Sequence, residues 1–229
     1  MRIYVGNEEL TGRREWQVTK VQGLSPEDAV VNVTDRAWLD GGWVNGARIG
    51  SREITVTAYP STEDPQEARL ALYDLFPLKE EVSLRFVTPL REAVATGHVK
   101  RVECDLYARS QAVEITVLCP DPYLYAPEPV QMEGGAIANP GLPVGIVAEG
   151  SGTTAISDGT RSFALTGVSS SVVFVLDTRE GSKSVKNKTT GDSLMSKVAS
   201  GSGWPTAGRG ETTITGASSA YIVPRWLGL

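Results

Sequence analysis

The sequence predicts a mainly β protein of two domains. Residues 1–128 read as an α+β domain, a sheet or split barrel with one helix, and residues 129–229 as a β-sandwich. Three observations carry this. Residues 113–119 (VEITVLC) place Val113, Ile115, Val117 and Cys119 on one side and Glu114, Thr116 and Leu118 on the other, the period of a half-buried strand. A single stretch, 64–76, has a helical signature. Past Pro129 helix formers thin out, Gly, Ser and Thr dominate, and short β runs recur about every ten residues with turn signals between them.

With 229 residues, 41% hydrophobic and 21% charged, the chain has the composition of a soluble globular protein. A net charge of −5 argues against a protein that coats nucleic acid, though not against a surface that nucleic acid slides past. No run approaches the roughly 18 apolar residues of a membrane span. The opening MRIYVGN is too short and polar for a signal peptide, so folding in the cytoplasm is expected.

Taken in order, residues 2–5 form a first strand and 6–9 a turn. Residues 16–24 form a second strand, stopped by Gly23-Leu24-Ser25-Pro26. A short β run at 29–34 precedes Asp40-Gly41-Gly42, a tight turn needing positive φ. From residue 47 the chain reads ARIGSREITVTAYP, with Ile54, Val56 and Ala58 opposite Glu53, Thr55 and Thr57: a strand. In the helix, Asp64 is the N-cap, Pro65 suits the first helical position and Glu67 the capping-box partner. Ala68, Leu72, Leu75 and Phe76 form one apolar stripe, expected to be buried against a sheet, and Pro77 ends the helix.

Four β runs follow, at 81–87, 91–95, 98–108 and 112–119. His98, beside Gly97, is expected in a turn between two of them. Two prolines so close cannot both sit in a ladder, so Pro120, Asp121, Pro122 and Tyr123 read as a stiff linker that fixes the angle between the domains. In the second half the β runs fall at 135–139, 144–148, 153–157, 162–165, 171–176, 211–215 and 219–223. The polar stretch 180–203 reads as a long loop holding a strand at 184–187.

The search for chemistry assigns no catalytic, cofactor-binding or metal-binding residue, and the chain reads as no enzyme. His98 is the single histidine, and no nucleophile-elbow motif exists to pair with it. Metal binding lacks ligands for the same reason. Asp35-Arg36 and Asp40-Gly41-Gly42 lack the spaced carboxylates of a calcium loop. Gly150-Ser151-Gly152 and Gly201-Ser202-Gly203 lack the P-loop lysine. Glu8-Glu9 and Glu80-Glu81 look like solvated turns rather than a hydrolytic acid pair. Cys104 and Cys119 sit at core-facing positions of adjacent strands, as two buried thiols or, alternatively, one disulfide. Trp38, Trp43 and Trp226 are either interface anchors or ligand platforms on one reading, or plugs at the ends of a sheet stack on the other.

The order of motifs resembles the distal tail (Dit) proteins of long-tailed bacteriophages, over nearly the whole chain. The resemblance rests on Val21-Gln22-Gly23-Leu24, Asp40-Gly41-Gly42, Gly46 through Ile54, the helix ending Leu75-Phe76-Pro77, and Leu118-Cys119-Pro120-Asp121-Pro122. It continues through Ala138-Asn139-Pro140-Gly141, Leu176-Asp177-Thr178, Gly203-Trp204-Pro205 and Ile222-Val223-Pro224-Arg225-Trp226. It implies a belt domain that closes into a homo-hexameric ring in the virion tail tip, assembled in the host bacterial cytoplasm. Such a ring joins the tail tube protein to the tail-tip hub protein, and DNA passes through it without specific binding and without a membrane role. The second domain would be a galectin-like β-sandwich that docks receptor-binding or other baseplate proteins, a likeness of fold that does not carry sugar binding with it. At this length the chain departs from larger members with inserted carbohydrate-binding modules. The alternative reading is a carbohydrate-binding module or adhesin acting through Trp204, Tyr221 and Trp226 on the sandwich.

Overall fold

The structure, a computed structural model, describes residues 1–61, 65–104 and 111–229. It is mainly β with one α-helix among the described residues. The chain divides into two compact units: Met1–Tyr125 with Leu227–Leu229, and Ala126–Trp226. The chain therefore passes to the second unit after Tyr125 and returns for its last three residues.

The first unit is one antiparallel sheet. Its strands are β1 (Arg2–Val5), β2 (Glu8–Glu9), β3 (Trp16–Gln22), β6 (Arg52–Pro60), β7 (Glu81–Val87), β8 (Glu92–Cys104) and β9 (Val113–Cys119), with β4 (Ala29–Asp35) and β5 (Gly42–Ile49) outside it. The order across the sheet is β2-β1-β7-β8-β9-β6-β3. Alternation decides burial: Ile54, Val56, Ala58, Leu84, Phe86, Val113, Ile115 and Val117 have no exposed surface. The helix α1 (Pro65–Leu75) packs on β6. Ala68, Leu72 and Phe76 are buried, whereas Leu75, one position off the stripe's centre, is half-buried. Asp64 lies outside the described residues, as does part of the 98–108 run.

Strand β8 corrects one expectation. The runs at 91–95 and 98–108 are one strand, and His98 is not in a turn: it pairs with Glu81 on one side and Leu118 on the other. Gly97 is a turn signal in sequence but lies inside the strand. A Cβ there would lie 2.6 Å from the Leu118 carbonyl oxygen and 2.8 Å from the Cys119 sulfur, so glycine serves close strand approach rather than a bend. The cysteines cannot bridge. Cys104 pairs with Val113, and Cys119 lies six residues further along β9, roughly 20 Å away at strand rise. Both are free thiols, Cys119 buried and Cys104 half-buried.

The Pro120–Pro122 segment also differs. After β9 the chain resumes as β10 (Leu124–Tyr125), which pairs with the same neighbour, Tyr125 opposite Val94. The two prolines thus mark a detour looped out of a strand within the first unit, where their missing N–H groups cost no ladder bond. Asp121 holds the detour, accepting from the Tyr123 N–H at 3.0 Å and the Tyr125 hydroxyl at 2.6 Å.

The second unit is a two-layer β-structure. Its strands are β11 (Val130–Gln131), β12 (Ala136–Asn139), β13 (Val144–Gly145), β14 (Val147–Ser151), β15 (Ile156–Ser157), β16 (Ser162–Phe163), β17 (Val173–Asp177), β18 (Ser184–Asn187), β19 (Thr206–Ala207), β20 (Gly210–Thr213) and β21 (Ser219–Ile222). One layer is the sheet β11-β21-β14-β17-β18. Facing it are the ribbons β12–β20 and β15–β16, joined by the Ser157–Thr215 bridge. The core between them includes Ile137, Ile146, Ile156, Phe163, Phe174, Leu176 and Val185. The stretch 180–203 holds β18 and a 3₁₀ turn at Met195–Lys197. Two polar side chains tie the irregular parts together. Thr178 Oγ1 accepts from the Ile146 N–H at 2.7 Å and donates to the Pro205 carbonyl at 2.7 Å. Asn139 accepts from the Gly141 N–H at 2.9 Å and donates to the Leu142 and Ala207 carbonyls at 2.8 and 3.2 Å.

Candidate functional site

Strands β4 and β5 pair only with each other and form a hairpin on the first unit. Its register divides the residues into two faces. Ala29 opposes Ile49, Val31 opposes Ala47, and Val33 opposes Val44. Paired residues share a face, so these six make one apolar surface, bounded toward the tip by Asp35 opposite Gly42. The other face is mixed: Val30 with Arg48, Asn32 with Gly46, Thr34 with Trp43. A bulge at Asn45 shifts the register and keeps Val44 in line with Val33. Among the described residues nothing in the unit covers the apolar face: Val31, Val33 and Val44 are 48%, 57% and 65% exposed.

The tip is apolar too. Trp38 is 96% exposed and Leu39 69%. Gly41 takes φ +86° to close the turn, and the Arg36 N–H donates to its carbonyl at 3.2 Å. The Arg36 guanidinium stacks over the exposed Trp43 ring at 4.3 Å. Trp38 and Trp43 therefore plug no sheet end. A two-stranded hairpin with a bare apolar face is marginal in water, and an exposed apolar patch of this kind is a candidate contact surface.

The hairpin root is held by a side chain that sequence reasoning missed as a site. Arg52 has no exposed surface, although it is an arginine. Its guanidinium donates to four backbone carbonyls: Pro122 through Nε at 2.8 Å, Gly23 and Ser25 (3.0 Å) through Nη1, and Leu227 through Nη2 at 2.5 Å. Glu27, a partly exposed carboxylate 3.6 Å away, supplies the counter-charge. Burial lowers the Arg52 pKa, opposed by Glu27 and then Cys119. Burial also pushes the Cys119 thiol up to about 11, against the pull of Arg52. The five fixed donors of one planar group thus join the segment before the hairpin, the proline detour and the returning C-terminal residues. Gly23, at φ +82°, is required here, since a Cβ would fall 1.9 Å from the Glu53 carbonyl oxygen. The C-terminal residues are further held by the Leu229 N–H on the Leu24 carbonyl at 3.0 Å. One signal was legible: Arg52 shares the inward phase of Ile54 and Val56, and a charge in that phase is either exposed by a strand end or buried in a cage.

The remaining candidates lie apart from this surface. Pro65, Glu67, Ala68, Leu72, Leu75 and Phe76 belong to α1 and its end. In the second unit the Trp204 ring lies tilted against the core residue Phe163, centroids 5.1 Å apart, with the Lys183 ammonium over the Trp204 ring at 5.8 Å. Tyr221 lies half-buried in β21, opposite Val147 and Gln131. Among the described residues no group of three or more His, Cys, Asp or Glu is placed to hold a metal ion, and no helix is long and apolar enough to cross a membrane.

The sheet with its single helix, the projecting hairpin and the following β-sandwich define the fold of a phage distal tail protein. The particular likeness is to the SPP1 Dit (gp 19.1) protein, described as a paradigm of the hub adsorption apparatus in phages infecting Gram-positive bacteria. It has a TM-score of 0.71 at 15% identity and covers 98% of each chain. Chains of the phage P2 baseplate in its activated conformation, with Ca and with Sr, match with TM-scores of 0.53 and 0.51 at 10% identity, over 100% of this chain and 99% of theirs. No protein-family model matches the sequence, and no curated protein does.

Proposed function

We propose that this protein is a structural subunit of a bacteriophage tail tip, closing into a hexameric ring between the tail tube and the tail-tip hub. The observation that carries the reading is the uncovered apolar face of the β4–β5 hairpin on a chain with this fold. A ring needs heterologous contacts, one surface of each copy on a different surface of the next, and an arm projecting from a sheet supplies one half of such a contact. Arg52 fixes the arm's root, so the apolar face is presented in one direction rather than tethered loosely. The second unit docks peripheral baseplate or receptor-binding proteins.

Charge supports the same reading. The first unit carries 14 basic and 19 acidic side chains, a balance of −5, whereas the second carries 8 of each, a balance of zero. A ring lined by the acidic unit lets DNA pass without holding its phosphates. The protein acts as a scaffold and not as an enzyme.

Light scattering with negative-stain imaging tests the proposal. The expected species has six times the 24.5 kDa chain mass and a central hole. Val33→Asp, which charges the apolar face, should return it to a monomer. A species that stays monomeric at every concentration reached, both alone and with tail tube protein added, overturns the ring.

A further inference from the structure

The second unit, which does not carry the β4–β5 hairpin, holds an open strand edge of its own. Gly134 and Gly135, at φ +58° and +84°, make a tight turn between β11 and β12. Across it Glu133 and Ala136 exchange both backbone hydrogen bonds, at 2.9 and 3.0 Å. In an antiparallel hairpin the next bonded rung would be Gln131 with Ala138. That rung is absent. Instead β11 turns to β21, with the Met132 N–H donating to the Ala220 carbonyl at 2.8 Å, and β12 turns to β20, with the Ile214 N–H donating to the Gly135 carbonyl at 2.8 Å.

The alternation of bonded and non-bonded pairs sets where the unmade groups point. Gln131 opposes Tyr221, and Ala138 opposes Glu211, each in a non-bonded pair. The N–H and C=O of Gln131 and of Ala138 therefore point away from their own partners and toward each other. Between the two strands lies a groove of about 540 Å³. Pro129 and Val130 form an apolar wall, and the small side chains of Ala136 and Ala138 let a backbone come close. Glu133 and Glu211 are its charged lining residues, both exposed, and neither is in an ion pair among the described residues.

We infer that this groove receives one extended segment of a partner protein, bearing a basic side chain, as an added strand between Gln131 and Ala138. The free N–H and C=O groups of Gln131 and of Ala138 supply main-chain hydrogen bonds, and alternate side chains of the segment meet the apolar wall and the two carboxylates. Pro129, without an N–H, closes the pairing at one end. This surface belongs to the second unit and stands whether or not the first unit forms a ring.

The test uses the full chain, isotope-labelled, with two probes: the capped peptides Thr-Val-Lys-Val-Thr and Thr-Val-Glu-Val-Thr. The lysine peptide should move the Gln131 and Ala138 amide resonances and slow their exchange, and should bind at least about tenfold tighter than the glutamate peptide. Glu211→Lys should reverse that preference. The inference is overturned if the lysine peptide leaves both amides unmoved at millimolar concentration, if the two peptides bind alike, or if Glu211→Lys changes nothing. Val33→Asp, which breaks the ring, should leave peptide binding intact; loss of binding together with the ring would place the site in the ring contact and overturn this assignment.

Discussion

Strands β6 and β9 and the β4–β5 hairpin are built from the same kinds of residue, yet they end in opposite environments. In β6 and β9 the valines and isoleucines are fully buried, and α1 packs on β6. In the hairpin, Val31, Val33 and Val44 line up just as well and stand in water. Strand periodicity is a property of the pleat, set locally by alternation. Burial is a property of what lies across the pleat, and for the hairpin no described residue of its own unit does. An aligned apolar face without a cover is what an assembly contact looks like in a single copy.

The most severe break of this comparison comes from charging the exposed face. Val33→Asp or Val44→Asp should abolish assembly in light scattering while leaving the unfolding free energy of the single chain within about 0.5 kcal/mol of the parent. Next in size is Arg52→Ala, which leaves four carbonyls without a donor. Urea denaturation should show a loss of about 3–5 kcal/mol, with Arg52→Lys recovering little because an ammonium cannot span the four acceptors. Ile54→Ala and Leu72→Ala should each cost about 2–5 kcal/mol, against a negligible change for Val44→Ala in the unassembled chain. Equal costs for Ile54→Ala and Val44→Ala would mean the hairpin face is covered in the single chain.

Two smaller effects sharpen the picture. Desolvation raises the pKa of Asp158, but it is outweighed by N–H donors from Thr206 (2.7 Å), Arg161 (2.6 Å) and Thr160 (2.8 Å), so the net pKa falls below 3.8. A carboxylate depressed in the folded state adds stability that is present above its unfolded pKa and is lost as pH falls through the folded one. Asp158→Ala should therefore cost about 1.5–3 kcal/mol at neutral pH, a penalty that shrinks in denaturation curves taken below pH 3.8. Smallest of all, brief alkylation of the native chain at pH 8 should modify at most one thiol, with Cys119 spared by its burial and its pKa of about 11.

Much of the fold was legible because it is written in local terms. The alternation of Ile54, Val56 and Ala58 and of Val113, Ile115 and Val117, the helix signals at Pro65 and Glu67, and the change of composition past Pro129 each act over a few residues. Gly97 and the Pro120-Asp121-Pro122 run were misread for the same reason. A glycine and two prolines are ordinary stop signals locally, and only the neighbouring strand shows that one serves close approach and the others a detour. β5 was missed because Gly42, Asn45 and Gly46 dilute its pattern, and its partner β4 restores it only through pairing.

By itself, then, the sequence determined the class of the fold, the position of its helix, its acidic balance and an order of motifs that resembles distal tail proteins. Tertiary structure alone decided which apolar strands were covered, that Arg52 is caged rather than solvated, and that the chain returns from its second unit to close the first. The reason is range. Periodicity and capping are settled within a turn or two of chain, whereas the Arg52 cage joins residues up to 175 positions apart and the bare hairpin face is defined by a neighbour it does not have.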